Sequence, residues 1–268
     1  MNDKIEKLSQ IIKDNPDNAN AYVNRGLTFL NIDKFEEAIS DFDKAIRLDP
    51  KNPEAYFYKA SSYWTIGDYK DAIENYDKAI DFNPTNSEYY LQRGIAYSEI
   101  GKHDRAINDY DKAISINPQY SHAYSFRASS YACLGNYHQA LLDYNKALEI
   151  NPNDSFTYVS RANAYTELGN FSQSIKDYTK SIELDPRNIH AYIQRALTYS
   201  ALNMYLQAIR DYDSAIEIDP LHAGSYYGRG CAYSKIGNSK RALDDIKVAA
   251  KLGFDTAREY LLGIDEHW

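Results

Sequence analysis

The chain has 268 residues, of which 44% are hydrophobic and 25% are charged, so it is expected to fold and global disorder is excluded. Its formal net charge of −8 argues against a general nucleic-acid-binding or anionic-membrane-binding surface. No apolar stretch is long enough for membrane insertion, the first residues lack a secretory signal pattern, and the two cysteines cannot form a disulfide framework, so a cytoplasmic location is expected.

Residues 1–18 predict a short helix that ends near Pro16. Because repeats follow this segment and the end of a repeat array needs a polar outer face, we interpret residues 1–18 as an N-terminal capping helix. Its apolar residues would share one helical face: Ile5, Leu8, Ile11 and Ile12.

A repeat of 34 residues follows this helix. Prolines recur at that interval from Pro16 to Pro220, with Pro53 as the exception. A fixed period of this length indicates stacked structural repeats. With the proline as position 32, the seventh repeat has Phe254 instead of proline. The seven repeats are 19–52, 53–86, 87–120, 121–154, 155–188, 189–222 and 223–256.

Each repeat predicts two helices. Position 15 is Asp33, Asn203 or Gly, which are residues that tolerate the left-handed conformation ending a helix. The first helix is therefore expected over about positions 1–14 and the second over about positions 18–31, before the proline. Position 34 is often Asn or Asp, which suits an N-cap for the first helix of the following repeat. No segment alternates with period two, so no β-sheet is expected.

The 26 tyrosines are the unusual feature of the composition. Position 4 is Tyr in all seven repeats, and positions 11 and 24 are nearly always aromatic, whereas positions 8, 20 and 27 hold only Gly, Ala or Ser. Large rings opposite small residues predict a packed helical core. The competing interpretation, a stacking platform for nucleic-acid bases, fits the negative charge poorly.

The fourth repeat shows the whole pattern, from Tyr124 and Ala128 through Gly135 to Pro152. This alternation of large and small residues, closed by a proline, resembles the tetratricopeptide repeat over residues 19–256. The resemblance implies an all-α fold, a right-handed superhelical solenoid of antiparallel helix pairs. It also implies that the first helices line a concave groove that binds peptides or protein segments, and that there are no catalytic residues to assign.

Residues 257–268 predict a C-terminal capping helix that begins an eighth repeat. In this alignment Tyr260 takes position 4 and Ile264 takes position 8, which is Gly or Ala elsewhere. A larger residue is acceptable there because no second helix follows.

A cation occupies position 7 of every repeat, and position 23, which lies 16 residues later, is Asp in all repeats but the second. The cations could bind phosphates, or they could pair with these acids. The second repeat changes both positions together, to Lys59 and Asn75, which favours direct contact between them. We therefore expect a structural ladder of pairs, such as Arg127 with Asp143.

The sequence contains no pattern typical of an enzyme. The six histidines show no metal-ligand spacing, and there is no nucleophile elbow, P-loop or dinucleotide motif. Cys133 and Cys231 lie beside small residues and are expected to be unreactive. The chain is therefore expected to be non-enzymatic and to need no cofactor and no metal.

The expected function is a scaffold for protein–protein interaction. The resemblance places positions 2, 5, 6, 9, 12 and 13 of each first helix in the groove, where apolar and aromatic residues predominate and the few charges are mostly acidic. A neutral or basic protein or peptide segment with apolar anchors is the expected partner. The predicted groove residues are Val23, Leu27, Glu54, Phe57, Tyr58, Ser61, Trp64, Glu88, Leu91, Ile95, Ser125, Phe126, Ser129, Phe156, Val159, Asn163, Ile193 and Tyr227.

Aromatic residues of repeats 2 to 5 are the predicted anchors within this set: Phe57, Tyr58, Trp64, Phe126 and Phe156. Some members of the resembled family hold chaperone tails in a carboxylate clamp with a Lys at position 5, but position 5 is never basic here, so no such clamp is expected. No nucleic-acid partner and no membrane insertion are expected either. The alternative function is structural self-assembly, with the groove or the ends of identical chains packed together as a homo-oligomer.

Overall fold

The computed structural model describes residues 2–263, and the prediction of an all-α fold is confirmed. Helices follow one another along the described chain as antiparallel pairs. They are α1 (Asn2–Asp14), α2 (Ala19–Leu30), α3 (Phe35–Leu48), α4 (Pro53–Thr65), α5 (Tyr69–Phe82), α6 (Ser87–Glu99), α7 (His103–Ile116), α8 (Ser121–Cys133), α9 (Tyr137–Ile150), α10 (Ser155–Glu167), α11 (Phe171–Leu184), α12 (Ile189–Ala201), α13 (Tyr205–Ile218), α14 (Ala223–Lys235), α15 (Ser239–Lys251) and α16 (Asp255–Gly263).

The helices belong to two compact units, Met1–Asn136 and Tyr137–Trp268. In each unit, consecutive helices pack against each other, and the first helices of neighbouring repeats also contact each other directly. These contacts join α2 to α4, α4 to α6 and α6 to α8 in the first unit, and α10 to α12 and α12 to α14 in the second. Each unit therefore presents one surface made by its first helices, which we call the first-helix face.

The first helices begin where the N-cap residues predict. The Asn52 side chain accepts a hydrogen bond from the Ala55 backbone N–H at 3.1 Å, and Asn188 does the same for Ala191. Asn86 and Asp154 cap the helices that follow them in the same way. Such caps satisfy backbone donors that have no partner inside the helix.

The turn between the two helices of each repeat also forms as predicted. All seven position-15 residues have positive φ, from 57° at Asp33 to 83° at Gly67. The second helices of the first six repeats occupy positions 17–30, as in Phe35–Leu48, so they begin and end one residue earlier than predicted. They end early because the residue before each proline is held extended, as Asp49 is with φ −132°.

The aromatic ring at position 24 forms the centre of the helix packing. Phe42 and the five tyrosines at this position are at most 2% exposed. A Cβ atom on Gly26 would lie 2.7 Å from Phe42 Cε1, and one on Gly94 would lie 2.6 Å from Tyr110 Cε1. The small residues at position 8 are therefore required by the close approach of these rings.

The N-terminal helix α1 packs on α2, as a capping helix would. Ile12 is buried, and Ile5 and Leu8 are half-buried. Ile11 is 44% exposed, although the sequence pattern assigned it to the buried face. The apolar stripe of α1 is therefore narrower than predicted.

The last helix begins two residues earlier than predicted. The seventh repeat has no closing proline. Helix α15 ends at Lys251, and Gly253 follows with φ 96°, a left-handed conformation that glycine adopts readily. Helix α16 then starts at Asp255, so that Ala257 takes the place of the position-3 residue, which is buried in every full repeat. Tyr260 is consequently 48% exposed and Leu261 is buried instead. The prediction for Ile264 lies outside the described residues.

Candidate functional site

In the first unit, most of the predicted groove residues lie partly buried on the first-helix face. Glu54 is exposed. The buried members are Val23, Leu91 and Ser125. The half-buried members are Leu27, Phe57, Tyr58, Ser61, Trp64, Glu88, Ile95, Phe126 and Ser129.

The aromatic residues among them pack against rings of the core. Phe57 lies 4.8 Å from Tyr89 and 5.7 Å from Tyr76, measured between ring centroids. Tyr58 lies 6.1 Å from Phe42 in a stacked arrangement. These side chains therefore contribute to packing inside the unit, and only part of each ring remains for a ligand.

Several polar groove residues hydrogen-bond to groups of the protein itself. The Ser61 hydroxyl lies 3.3 Å from the Tyr76 hydroxyl, and the Tyr178 hydroxyl donates to Asn163 Oδ1 at 2.6 Å. Glu88 accepts a hydrogen bond from the Tyr120 hydroxyl. A polar residue at position 9 thus pairs with the buried tyrosine 15 residues later, a role that the sequence analysis did not assign.

In the second unit, the remaining predicted residues are spread along the first-helix face. Val159 in α10 is buried, and Asn163, Ile193 and Tyr227 are half-buried. Phe156, at the start of α10, is 58% exposed. Of this group, the structure brings Ile193 and Tyr227 together in the wall of one cavity.

This cavity lies on the first-helix face of the second unit and measures about 420 Å³. Its volume is in the range of protein sites that hold small molecules or side chains of a partner. Helices α12, α13 and α14 and the segment after α15 contribute its walls, which are mostly apolar. Its principal side chains are Ile193, Leu197, Tyr227, Cys231, Lys235 and Phe254.

The cavity arises from three departures of the seventh repeat from the repeat pattern. Gly224 and Gly228 are at positions 2 and 6, which carry side chains in all other repeats. A Cβ atom on Gly228 would lie 2.5 Å from Tyr212 Cζ, so a larger residue cannot fit without movement. Phe254 replaces the proline, and its ring packs 4.9 Å from that of Tyr227. Both glycines and the missing proline are visible in the sequence, but the repeat pattern alone does not indicate a cavity between them.

The polar groups of the cavity are mainly hydrogen-bond donors at neutral pH. His222 Nδ1 accepts from the Ser225 backbone N–H at 3.1 Å as the N-cap of α14, so the ring proton is on Nε2. Burial raises the pKa of Tyr212 to about 12, so its hydroxyl stays protonated. Desolvation also raises the pKa of Cys231, so this residue is a thiol and a weak nucleophile. Lys235 contributes the cation.

Five of the cations at position 7 form the predicted pairs with the acid 16 residues later: Arg25, Arg93, Arg161, Arg195 and Arg229. Arg93 donates from Nε and Nη2 to both carboxylate oxygens of Asp109, at 2.9 and 2.6 Å, and Arg229 binds Asp245 in the same bidentate way. Burial alone would lower the pKa of Arg93, but its hydrogen bonds and charge interactions with Asp109 and Asp77 outweigh burial and raise it. These guanidinium groups are used inside the protein, which supports the structural interpretation over phosphate binding.

The ladder also joins successive repeats, a contact that the sequence did not predict. Arg93 Nη1 donates to Asp77 Oδ1 of the preceding repeat at 2.6 Å, and Arg195 Nη1 donates to Thr179 Oγ1 at 2.8 Å. Each acceptor lies 16 residues before the cation, at position 25. Position 25 is Asp in repeats 1, 2, 3 and 6 but Asn145 in the fourth and Thr179 in the fifth, so it is not a uniformly acidic position in the sequence.

The second repeat departs from the predicted pairing. Lys59 forms its ion pair with Asp43 of the preceding repeat at 2.7 Å, and the Asn75 side chain donates to the Asp71 carbonyl oxygen. The prediction that Lys59 bonds to Asn75 is therefore wrong. A single ammonium group cannot reach in both directions as the guanidinium fork does, so only the contact between repeats remains.

Within residues 2–263, no group of three or more His, Cys, Asp or Glu side chains is arranged to hold a metal ion. No helix in that part of the chain is both long and apolar enough to cross a membrane. The cavity wall itself is mostly apolar, with hydroxyl, imidazole, thiol and ammonium groups among its lining residues.

Comparisons with solved structures show the same fold. The MamA protein is 28% identical, with a TM-score of 0.57 over 63% of this chain and 92% of that chain. A tetratricopeptide repeat protein from Parabacteroides merdae ATCC 43184 is 24% identical, with a TM-score of 0.68 over 91% of this chain and 97% of that one. YrrB, described as a TPR protein with an unusual peptide-binding site, is 21% identical, with a TM-score of 0.58 over 70% of this chain and 96% of that one.

A search of the curated proteins found no match. Family models described as tetratricopeptide repeat match residues 5–53, 23–87, 87–120, 122–154, 155–188, 177–210 and 212–244. Because these matches extend over most of the chain and agree with its helix pairs, the chain belongs to the tetratricopeptide repeat family.

Proposed function

We propose that this chain is a non-enzymatic scaffold that binds a segment of another protein on its first-helix face. Tetratricopeptide repeat proteins commonly mediate protein–protein interactions and are typically non-catalytic. The observation that carries the proposal is the apolar cavity of about 420 Å³ in the second unit, which offers a place for a side chain of a partner. The cytoplasmic location stays a prediction from the sequence.

Exposed apolar residues on the same face support this proposal. Leu197 in α12 is 49% exposed and Phe156 in α10 is 58% exposed. Burial of such apolar side chains by a partner is favourable, because it removes apolar surface from water. In the first unit, the half-buried rings of Phe57, Tyr58 and Phe126 remain candidate contacts on the corresponding surface.

The test compares two exposed leucines of one unit. Leu197 lies on a first helix and is 49% exposed, whereas Leu206 lies on the second helix α13 and is 61% exposed. We expect Leu197→Arg to abolish capture of a specific protein from lysate and Leu206→Arg to leave it unchanged, with thermal unfolding unaltered in both. Calorimetry with the captured protein then gives the two affinities. Equal affinities for both variants would place the binding surface elsewhere.

Self-assembly is the second candidate, and the terminal helices favour it. Leu262 in α16 is 72% exposed and Ile11 in α1 is 44% exposed, so each terminal helix has an uncovered aliphatic side chain. Sedimentation equilibrium of the full chain and of Leu262→Lys, at several concentrations, tests it. A dimer that dissociates in the variant supports self-assembly, and a monomer at all concentrations contradicts it.

A further inference from the structure

The cavity can be compared with the same place between neighbouring repeats of the first unit. In two of the three cases there, a ring at position 6 stacks over the position-24 ring of the preceding repeat: Tyr58 over Phe42 at 6.1 Å and Phe126 over Tyr110 at 6.2 Å. In the third case position 6 is Gln92. In the seventh repeat, position 6 is Gly228, which has no side chain to place there. The cavity opens at this step, beside Tyr212 and Gly228. The fold therefore accommodates an aromatic ring at such a place, stacked on the position-24 ring.

The cavity wall also carries a positive charge. Lys235 lines the cavity, and among the described residues that line it none is acidic. The acidic residues at groove positions are in repeats 2, 3 and 5: Glu54, Glu88, Glu99 and Glu167. The potential at this cavity is thus expected to be locally positive, although the whole chain carries −8.

The distance between Gly228 and Lys235 along α14 sets the spacing of the two groups that a bound segment would present to them. Lys235 follows Gly228 by seven residues on α14, which corresponds to about 10 Å along the helix axis. An extended segment beside α14 advances about 3.3 Å per residue. A carboxylate that reaches Lys235 would therefore lie about three residues from a side chain placed at Gly228.

We propose that the cavity receives an aromatic side chain of the bound segment, and that Lys235 pairs with an Asp or Glu about three residues from that ring. This inference rests on the proposed function, because it specifies the chemistry of the segment bound at the same face. It also differs from the neutral or basic partner that the sequence predicts, since the acidic groove residues lie in other repeats.

A displayed library of random twelve-residue peptides, selected on the full chain, tests the inference. The enriched peptides are synthesised with blocked ends, and their affinities are measured by fluorescence anisotropy. We expect them to carry an aromatic residue with Asp or Glu three positions away. Lys235→Gln should weaken their binding about two- to fivefold, less so at high salt, and Lys235→Arg should restore it. Cys231→Phe should weaken binding at least tenfold, because its ring occupies the cavity.

Two matched variants are the controls. Lys240→Gln removes an exposed cation of the same repeat that does not line the cavity, and Leu142→Phe adds a ring at an exposed residue of the second helix α9. Neither should change the affinity. If Cys231→Phe does not fold, as judged by thermal unfolding, Leu197→Ala removes part of the cavity wall and should weaken binding instead.

The outcomes separate the inference from the proposed function. Peptides that bind wild type and Cys231→Phe equally, or that are enriched in Lys and Arg, would overturn the inference and leave the proposed function standing. If no peptide of the library bound the wild-type chain at all, both would fall. Without peptide, slower alkylation of Cys231 at higher protein concentration would show that a second copy occupies the cavity. That result would also overturn the inference.

Discussion

At the scale of single residues, the cation at position 7 links parts of the chain that are far apart in sequence. Arg93 bonds to Asp109 in its own repeat and to Asp77 in the preceding one. The sequence predicted the first contact from the fixed 16-residue spacing. It did not predict the second, because the acceptor before the cation can be a carboxylate, an amide or a hydroxyl, as Asp77, Asn145 and Thr179 illustrate.

The two contacts of Arg93 should differ in their effect on stability. The Asp109 side chain is 7% exposed and that of Asp77 is 46% exposed. Arg93→Ala and Asp109→Ala should each lower the free energy of unfolding by about 2–3 kcal/mol, because the partner is left unpaired in a largely buried place. Asp77→Ala should cost less than about 1 kcal/mol, since solvent screens that pair.

Chemical denaturation of the single and double variants measures these free energies. The Arg93→Ala, Asp109→Ala double variant should lose less stability than the sum of the single losses. Arg187→Ala is the control, because Arg187 is exposed, and its effect should stay within about 0.5 kcal/mol. Strictly additive losses at Arg93 and Asp109 would mean that the two side chains do not stabilise each other.

At the scale of helices, the turn at position 15 depends on backbone conformation alone. Gly67 has φ 83°, and a Cβ atom added there would meet no heavy atom within 4 Å. Gly67→Ala should therefore destabilise by about 1 kcal/mol through the left-handed conformation and not through a clash. Asp33→Gly, at φ 57°, should stabilise by up to about 1 kcal/mol. Thermal unfolding of both variants is the measurement, and effects of the same sign would contradict this explanation.

Most helix boundaries could be predicted because the residues that start and stop these helices act locally. Asn52 caps the helix that follows it, and the residue before each proline cannot stay helical. The start of α16 could not be predicted in this way. The seventh repeat has no closing proline, Gly253 follows the preceding helix instead, and α16 begins two residues earlier than the repeat pattern indicates. The cavity was missed for a related reason. The cavity depends on the space between helices beside Gly228 and Phe254, and an alignment of repeats does not describe that space.

At the scale of the whole molecule, each unit is built from contacts between neighbouring helices. Such a framework can change one repeat without disturbing the others, because each repeat depends mainly on its neighbours. The seventh repeat illustrates this. It has Gly at positions 2 and 6 and no closing proline, and it still forms its helix pair. A binding surface on the first helices can therefore differ from repeat to repeat while the core pattern stays constant.

The central claim, that the first-helix face binds the partner, is tested most directly by the alkylation rate of Cys231. Cys231 lies in the wall of the cavity, and Cys133→Ser leaves it as the only thiol. Iodoacetamide is applied at alkaline pH, because desolvation raises the pKa of Cys231. With the captured partner at saturation, the account predicts alkylation at least tenfold slower than with an unrelated protein. An unchanged rate with the partner bound would contradict it.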